Sequence, residues 1–361
     1  MPDGTDRRSR IAIVDPCCPV SYDPDALSRG GLGGTEATIL RVASALTHGF
    51  DFRLLQNRRR EDALSGAGHL LPFSEENVAG ADAAIVVNSW KLARRLRHRY
   101  PLMPLLLWLH VHPGRHNRAM GQVLAEAGIG VVCVSRSHAS SFRAFLGSGR
   151  LPDIAYIPNP IADDLRPDAT PRDPNLLLFA SSPHKGLSEV YVRFRQLRDR
   201  LPTLRLEVAD PGYLRWDVGP VPDGTALLGP LPHADLIARM RHALCLFYPQ
   251  TTFAETFGLV LAEANAVGTP VLVHRGLGAN DEVVHGSGQA VHGHDIDAML
   301  ERILLWRSDP PRVSIDPDFR LARVAKRWRE VLATLVATGR LAQPARRYTH
   351  STGSDRIGPD A

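Results

Sequence analysis

The chain has 361 residues, of which 44% are hydrophobic and 22% charged, enough for two soluble domains of ordinary size. It contains no apolar run of roughly 18 residues, which excludes a membrane-spanning helix. The net charge of +5 is carried almost wholly by arginine, since Lys91, Lys185 and Lys326 are the only lysines. No recognition motif or aromatic interleaving accompanies the arginines, so nucleic acid is not an expected partner. The four cysteines lack metal or disulfide spacing and are expected as buried free thiols in a reducing cytoplasm.

Along the chain, short apolar runs alternate with helical patterns, as in parallel α/β layers. Residues 1–9 are polar, are expected to be disordered, and do not resemble a secretory signal. A first unit is expected over 10–160, with strands at 10–14, 51–55, 83–87, 104–109, 130–134 and 153–157. Its helices are predicted at 35–47, 89–99, 117–127 and 137–146. Arg94, Arg95, Arg97 and Arg99 fall on the second of these. Such a basic face, like Arg58, Arg59 and Arg60 before it, suits solvent or the anionic inner face of a membrane.

The Pro- and Asp-rich stretch at 158–175 reads as a break, with the linker itself at 161–175. A second unit follows over 176–318, with strands at 176–180, 204–209, 226–228, 243–248 and 270–273. Helices are predicted there at 187–200, 233–242, 258–267 and 295–307. A last helix near 319–337, within a segment 319–340, carries an apolar stripe through Leu321, Val324, Trp328, Val331 and Leu335. The tail 341–361 has too little apolar content to order itself.

Four segments carry chemistry. Gly30, Gly31, Gly33 and Gly34 could bring backbone N–H groups to a phosphate, with Thr35 and Glu36 capping the helix that follows. The apolar run 105–109 ends in His110, Val111 and His112, at a strand end that would face a ligand crevice. The loop after it carries Arg115, His116 and Arg118, able to hold an anion or to be ordinary loop. Lys185, on the loop 181–187 leading into a helix, can neutralise phosphate as a point charge. Residues 253–272, FAETFGLVLAEANAVGTPVL, set Glu255 and Glu263 either side of a Phe257–Gly258 turn that opens a helix at Leu259. The carboxylates would lie roughly 7–10 Å apart along the axis. The free N–H groups between them form an anion site, a geometry that suits a nucleoside diphosphate sugar.

As a whole string, 253–272 resembles the Glu-x7-Glu signature of the retaining glycosyltransferases of family 4 (glycosyl transferases group 1). The resemblance extends over roughly 10–337. It implies a GT-B fold: two Rossmann-like, doubly wound parallel-sheet domains facing a cleft, with the C-terminal helix crossing back to the first. The first domain would face the acceptor and the second would bind the nucleotide sugar. The implied activity is transfer of a sugar from a UDP- or GDP-linked donor to an acceptor hydroxyl, with retention, in glycan or glycolipid synthesis. Lipid-linked and oligosaccharide acceptors both remain open. By resemblance His110 and Glu255 are the catalytic residues, and Gly33, Gly34, Lys185, Phe257, Gly258, Leu259 and Glu263 bind the donor. No metal or other cofactor is implied.

The chain departs from the family in three places. Val111 stands where Asp usually follows the histidine, which keeps His112 as a rival to His110. Ala180 and Ser181 occupy the region of a usual donor-binding Arg. The segment 274–284 only approximates the Gly-Gly-x-x-Glu run that the family sets near the nucleotide, with Glu282 as its acid. Asn159, in Ile-Pro-Asn, is expected to fix a turn. Three other readings compete: a non-catalytic nucleotide-sugar-binding protein, a glycoside hydrolase using the two carboxylates, and an NAD-dependent dehydrogenase. The last lacks Gly-x-Gly-x-x-Gly directly on a strand end.

Overall fold

The structure, a computed structural model, describes residues 7–341 except Tyr213, His285 and Ser287. Most of the stretches expected to be disordered, 1–6 and 342–361, therefore lie outside the described residues. Their inner ends differ from expectation. Ser9 already belongs to the first strand, and Leu341 is buried.

The first sheet contains β1 (Ser9–Asp15), β2 (Phe50–Gln56), β3 (Ala63–Ser65) and β4 (Gly68–Pro72). It continues with β5 (Ala83–Val87), β6 (Leu105–Leu109), β7 (Gly130–Cys133) and β8 (Ile154–Tyr156). Its helices are α1 (Ala26–Arg29), α2 (Gly34–Leu46), α3 (Trp90–Arg99), α4 (Met120–Glu126) and α5 (Arg136–Leu146). The strand order is β3-β4-β2-β1-β5-β6-β7-β8, with every pair parallel except β3 and β4. The order reverses between β1 and β5, which opens a crevice at the C-terminal strand ends.

The second sheet contains β9 (Asp173–Ala180), β10 (Arg205–Ala209), β11 (Thr225–Leu227), β12 (Ala243–Tyr248), β13 (Val271–His274) and β14 (Ala290–Val291). Around it lie α6 (Leu187–Arg200), α7 (His233–His242), α8 (Leu259–Ala266), α9 (Asn280–Val283) and α10 (Ile296–Ser308). All its pairs are parallel, in the order β11-β10-β9-β12-β13-β14. Its reversal falls between β9 and β12. The central strands β5, β6 and β12 are buried at every residue. Helices cover both faces of such strands, which is why they read as unbroken apolar runs.

The last helix, α11 (Leu321–Thr338), returns to the first domain and packs on α2. Its buried stripe of Val324, Ala325, Trp328, Val331, Leu332 and Leu335 keeps the three-to-four spacing of one helix face. Trp328 meets Trp108 of β6 with ring centroids 4.4 Å apart. Burial of each large side chain contributes roughly 1.5–3 kcal/mol, so this helix is a firm strap between the halves. Ile161 is fully buried and bridges to Arg320, and β9 begins at Asp173. The stretch read as linker, 161–175, is thus pinned at its start and structured at its end.

Candidate functional site

The C-terminal strand ends of both sheets line one cleft of about 750 Å³ between the domains. On the second-domain side, β12 ends in Tyr248 and a loop carries the chain through Glu255 to Gly258. Gly258 has φ 88 and caps α8, a left-handed conformation that a side chain strains, and a Cβ there would meet Leu261 at 2.9 Å. The turn leaves the N–H groups of Leu259 and Val260, both residues of the cleft lining, without intrahelical partners, while the Leu261 N–H already donates to the Gly258 carbonyl.

Glu255 is 5% exposed and accepts hydrogen bonds at 3.0 and 3.1 Å from Lys185 Nζ and at 2.9 Å from Tyr248 Oη. Lys185 also lies 4.8 Å over the Phe253 ring. Glu263, the fifth residue of α8, is equally buried. It meets His233 Nε2 at 2.9 Å and Arg41 of the first domain at 3.2 and 3.3 Å. Burial pushes its carboxyl up, but the His233 hydrogen bond and the Arg41 charge outweigh this, leaving it below the usual range.

On the first-domain side, β6 delivers His110. Its N–H donates to Asn88 Oδ1 at 2.7 Å, and its carbonyl accepts from Thr256 Oγ1 at 2.7 Å. The ring packs tilted against Trp108 with centroids 4.7 Å apart, is 6% exposed, and leaves Nε2 without a partner among the described residues. Burial, followed by the nearby His138, lowers its pKa to about 3, so the imidazole is neutral. His112 also lines the cleft but is exposed, with its ring edge-on to His138. Of the two rivals, His110 is the one with a buried nitrogen free for a ligand.

The glycine-rich loop closes the cleft. Gly33 and Gly34 line it, and a Cβ on Gly34 would stand 3.0 Å from Leu259. Gly30 has φ 88 and presses on the second domain so closely that a Cβ would lie 2.2 Å from the Leu231 carbonyl oxygen. Glu36, in the first turn of α2, is buried in the cleft wall at 8% exposure. Burial raises its pKa to about 7, with Asp15 adding to the shift. Further contacts tie the domains. Ser135 Oγ donates to Thr256 O at 2.6 Å, and Glu282 accepts the Arg136 and Ser137 N–H groups of α5 at 2.8 and 2.6 Å.

Each predicted site residue therefore lines this cleft: His110, Glu255, Gly33, Gly34, Lys185, Phe257, Gly258, Leu259 and Glu263. Phe257 does so chiefly through its backbone, because its ring is buried edge-on to Phe319. Other expectations need correction. Glu282 caps α5 across the domain boundary and does not line the cleft. Asn159 does line it, with a buried Oδ1 that has no partner among the described residues. Arg115, His116 and Arg118 are exposed and outside the lining. Cys17 is exposed; only Cys18, Cys133 and Cys245 are buried. On α3, Arg97 turns inward to the carbonyls of Pro101, Met103 and Ala127, while Arg95 and Arg99 pair with Glu75 and Glu76. Arg94, Arg95 and Arg99 stay exposed.

Sequence reasoning missed Arg41, His233 and Tyr248, which hold the two carboxylates. Arg41 has a faint signal: Gly34, Ala37 and Arg41 share one face of α2 and all line the cleft. Among the described residues no group of three His, Cys, Asp or Glu could hold a metal ion, and no helix is long and apolar enough to cross a membrane.

Comparison with known proteins agrees with this architecture. Residues 163–317 match the family model described as glycosyl transferases group 1. The chain is similar to a D-inositol 3-phosphate glycosyltransferase 1 of Catenulispora acidiphila, 37% identical over 115 residues. That match covers 31% of this chain and spans 27% of the relative's length. A glycosyltransferase structure from Rickettsia africae superposes with a TM-score of 0.64 at 12% identity, over 92% of this chain and 99% of that one. An α,α-trehalose-phosphate synthase from Burkholderia xenovorans gives 0.61 at 13% identity, over 92% and 97%. A glycosyltransferase of avilamycin A biosynthesis gives 0.58 at 17%, over 91% and 98%. The molecule thus has the two-domain GT-B fold, and its second domain carries the match to the glycosyl transferases group 1 family.

Proposed function

We propose that this chain is a glycosyltransferase that moves a sugar from a nucleoside diphosphate sugar to an acceptor hydroxyl with retention of configuration. One observation carries the reading. Lys185 is hydrogen-bonded to both oxygens of Glu255 beside the open N-terminus of α8. A diphosphate at that helix start takes Lys185 as its counter-charge. Glu255 is then released to accept hydroxyls of the donor sugar. Glu263, oriented by His233 and Arg41, accepts the ribose hydroxyls.

In the reaction the bond from the anomeric carbon to the diphosphate breaks. The acceptor oxygen bonds to that carbon on the same face, and its proton passes to the departing phosphate oxygen. Lys185 and the α8 N–H groups stabilise the developing diphosphate charge without reorganising. The neutral His110 Nε2 gives the reacting sugar a polar contact, and closure of the glycine-rich loop excludes water. A glycoside hydrolase needs one carboxyl held protonated, with a raised pKa. Neither carboxylate of the 253–272 pair meets that need, since Glu263 is shifted the other way and Glu255 is bonded to a lysine; the raised carboxyl of the cleft is Glu36, on the first-domain side.

The test is incubation with a panel of nucleoside diphosphate sugars and hydroxyl acceptors, with proton NMR of the new linkage. Transfer with retention is expected. Binding without turnover across the panel would favour a sugar-nucleotide-binding protein, and an inverted linkage would overturn the mechanism. Two of the similar proteins carry phosphorylated compounds in their descriptions, D-inositol 3-phosphate and glucose-6-phosphate.

A further inference from the structure

We propose that the acceptor half of this cleft takes an uncharged hydroxyl compound with an apolar body, and discriminates against phosphate esters and carboxylates. The inference rests on the glycosyltransferase reading above and adds the chemical class of the second substrate. One stretch of the first-domain wall is apolar, formed by Pro19, Val20, Ala26, Leu27 and Leu32, beside the polar stretch of Glu36, His110 and Asn159. Val20 is 60% exposed at this wall and Val111, further along the lining, 47%, so both offer bare apolar surface to a ligand.

Charge points the same way. The described lining residues include four acids, Glu36, Asp210, Glu255 and Glu263, against two permanent cations, Arg41 and Lys185. Both cations are committed, Arg41 to Glu263 and Lys185 to Glu255. A bound donor diphosphate would claim Lys185 and add further negative charge. His110 stays neutral because burial holds its pKa at about 3, and the cationic loop with Arg115, His116 and Arg118 stands outside the lining. His112 and His184 also line the cleft, and burial lowers the pKa of both. An anionic acceptor would therefore meet Glu36, the other carboxylates and the diphosphate with no permanent cation of the lining left uncommitted. An uncharged hydroxyl finds acceptors and donors ready: the Glu36 carboxyl, and His110 Nε2 and Asn159 Oδ1, neither of which has a partner among the described residues. A compact aglycone and a lipid chain could each supply the apolar body.

The experiment uses the full chain saturated with UDP or GDP, whichever binds, at pH 8, where Glu36 is mostly ionised. Calorimetric titration compares 4-nitrophenyl glucoside with its 6-phosphate, and adds n-octyl glucoside below its micellar concentration. At least one uncharged glucoside is expected to bind tenfold or more tightly than the phosphate, with Glu36→Gln narrowing the ratio. Preference for the aryl probe indicates a compact aglycone, and preference for the octyl probe a lipid chain. Equal or tighter binding of the phosphate overturns the proposal. So does failure of both uncharged probes to bind while nucleotide affinity stands. Loss of nucleotide binding itself fails the underlying reading and this proposal with it.

Discussion

Glu36→Gln isolates the energetic strain in the cleft wall. The carboxyl is 8% exposed and its pKa rises from 4.5 to about 7 on folding, first because burial removes it from water and further because Asp15 is near. At about 1.36 kcal/mol per unit, ionised Glu36 costs the folded state on the order of 3 kcal/mol. The sign follows from the raised pKa. The favourable, protonated state is fully present below about pH 4.5, and its stabilisation is lost as pH rises through about 7. Glutamine keeps an amide oxygen that can accept the residue's own N–H, and it cannot ionise. The variant should therefore be more stable than the wild type by about 3 kcal/mol at pH 8. At pH 4 the two should be nearly equal, or the variant slightly weaker. Each kcal/mol shifts melting by roughly 2–4 °C in a unit of this size, so paired melting curves at pH 4, 6 and 8 resolve the difference. His110 and His138, both lowered to about 3 by burial, destabilise the fold as pH falls below 6.5, but they contribute equally to both proteins and cancel. A variant less stable than wild type by the same margin at every pH would refute the reasoning.

Gly30→Ala sets a methyl into the Leu231 carbonyl and strains a left-handed backbone, so the cleft should fail to close. Small-angle scattering should show a larger radius, with nucleotide affinity reduced; an unchanged radius would count against the loop as a closing element. Glu282→Ala removes the acceptor for the Arg136 and Ser137 N–H groups and should cost about 1–3 kcal/mol. Faster hydrogen exchange at the α5 N-terminus would show it, and unchanged protection would argue against the clasp. His110→Asn should lower turnover about tenfold, one ordinary hydrogen bond, and leave donor affinity intact. Because His110 titrates near 3, the wild-type rate should show no His110-dependent limb between pH 5 and 8, and a limb removed by the substitution would contradict its neutral role.

Much of the fold was legible in the sequence because its central strands are buried on both faces. The runs at β5, β6 and β12 announce themselves as unbroken apolar segments, and α6 and α7 keep clean helical periods. The hairpin of β3 and β4 was not legible, since a strand as short as Ala63–Ser65 shows no alternation and follows the Arg58–Arg60 cluster. Arg59 of that cluster is spent inside the fold, on the Tyr22 carbonyl and Gln56. The site divided in the same way. Glu255, Gly258 and Glu263 sit in one contiguous string whose spacing carries its own geometry. Arg41 and His233 are brought to Glu263 from 222 and 30 residues away, and no local pattern encodes such a meeting. The burial that neutralises His110 depends on Trp108 and on the domain interface, both tertiary. Glu282 was misplaced for a related reason. Its segment follows β13 toward the cleft, but α9 turns the carboxylate onto α5.

The central claim is that Lys185 and the start of α8 form a diphosphate site whose resting partner is Glu255. Calorimetric titration of nucleoside diphosphates into the wild type, Lys185→Ala and Glu263→Gln tests it most directly. The account predicts that one nucleoside diphosphate binds while NAD does not. Lys185→Ala should then lose about 1.5–3 kcal/mol for the diphosphate, and Glu263→Gln should weaken the nucleotide through its ribose. Wild-type affinity in both variants, or preferential binding of NAD, would contradict it.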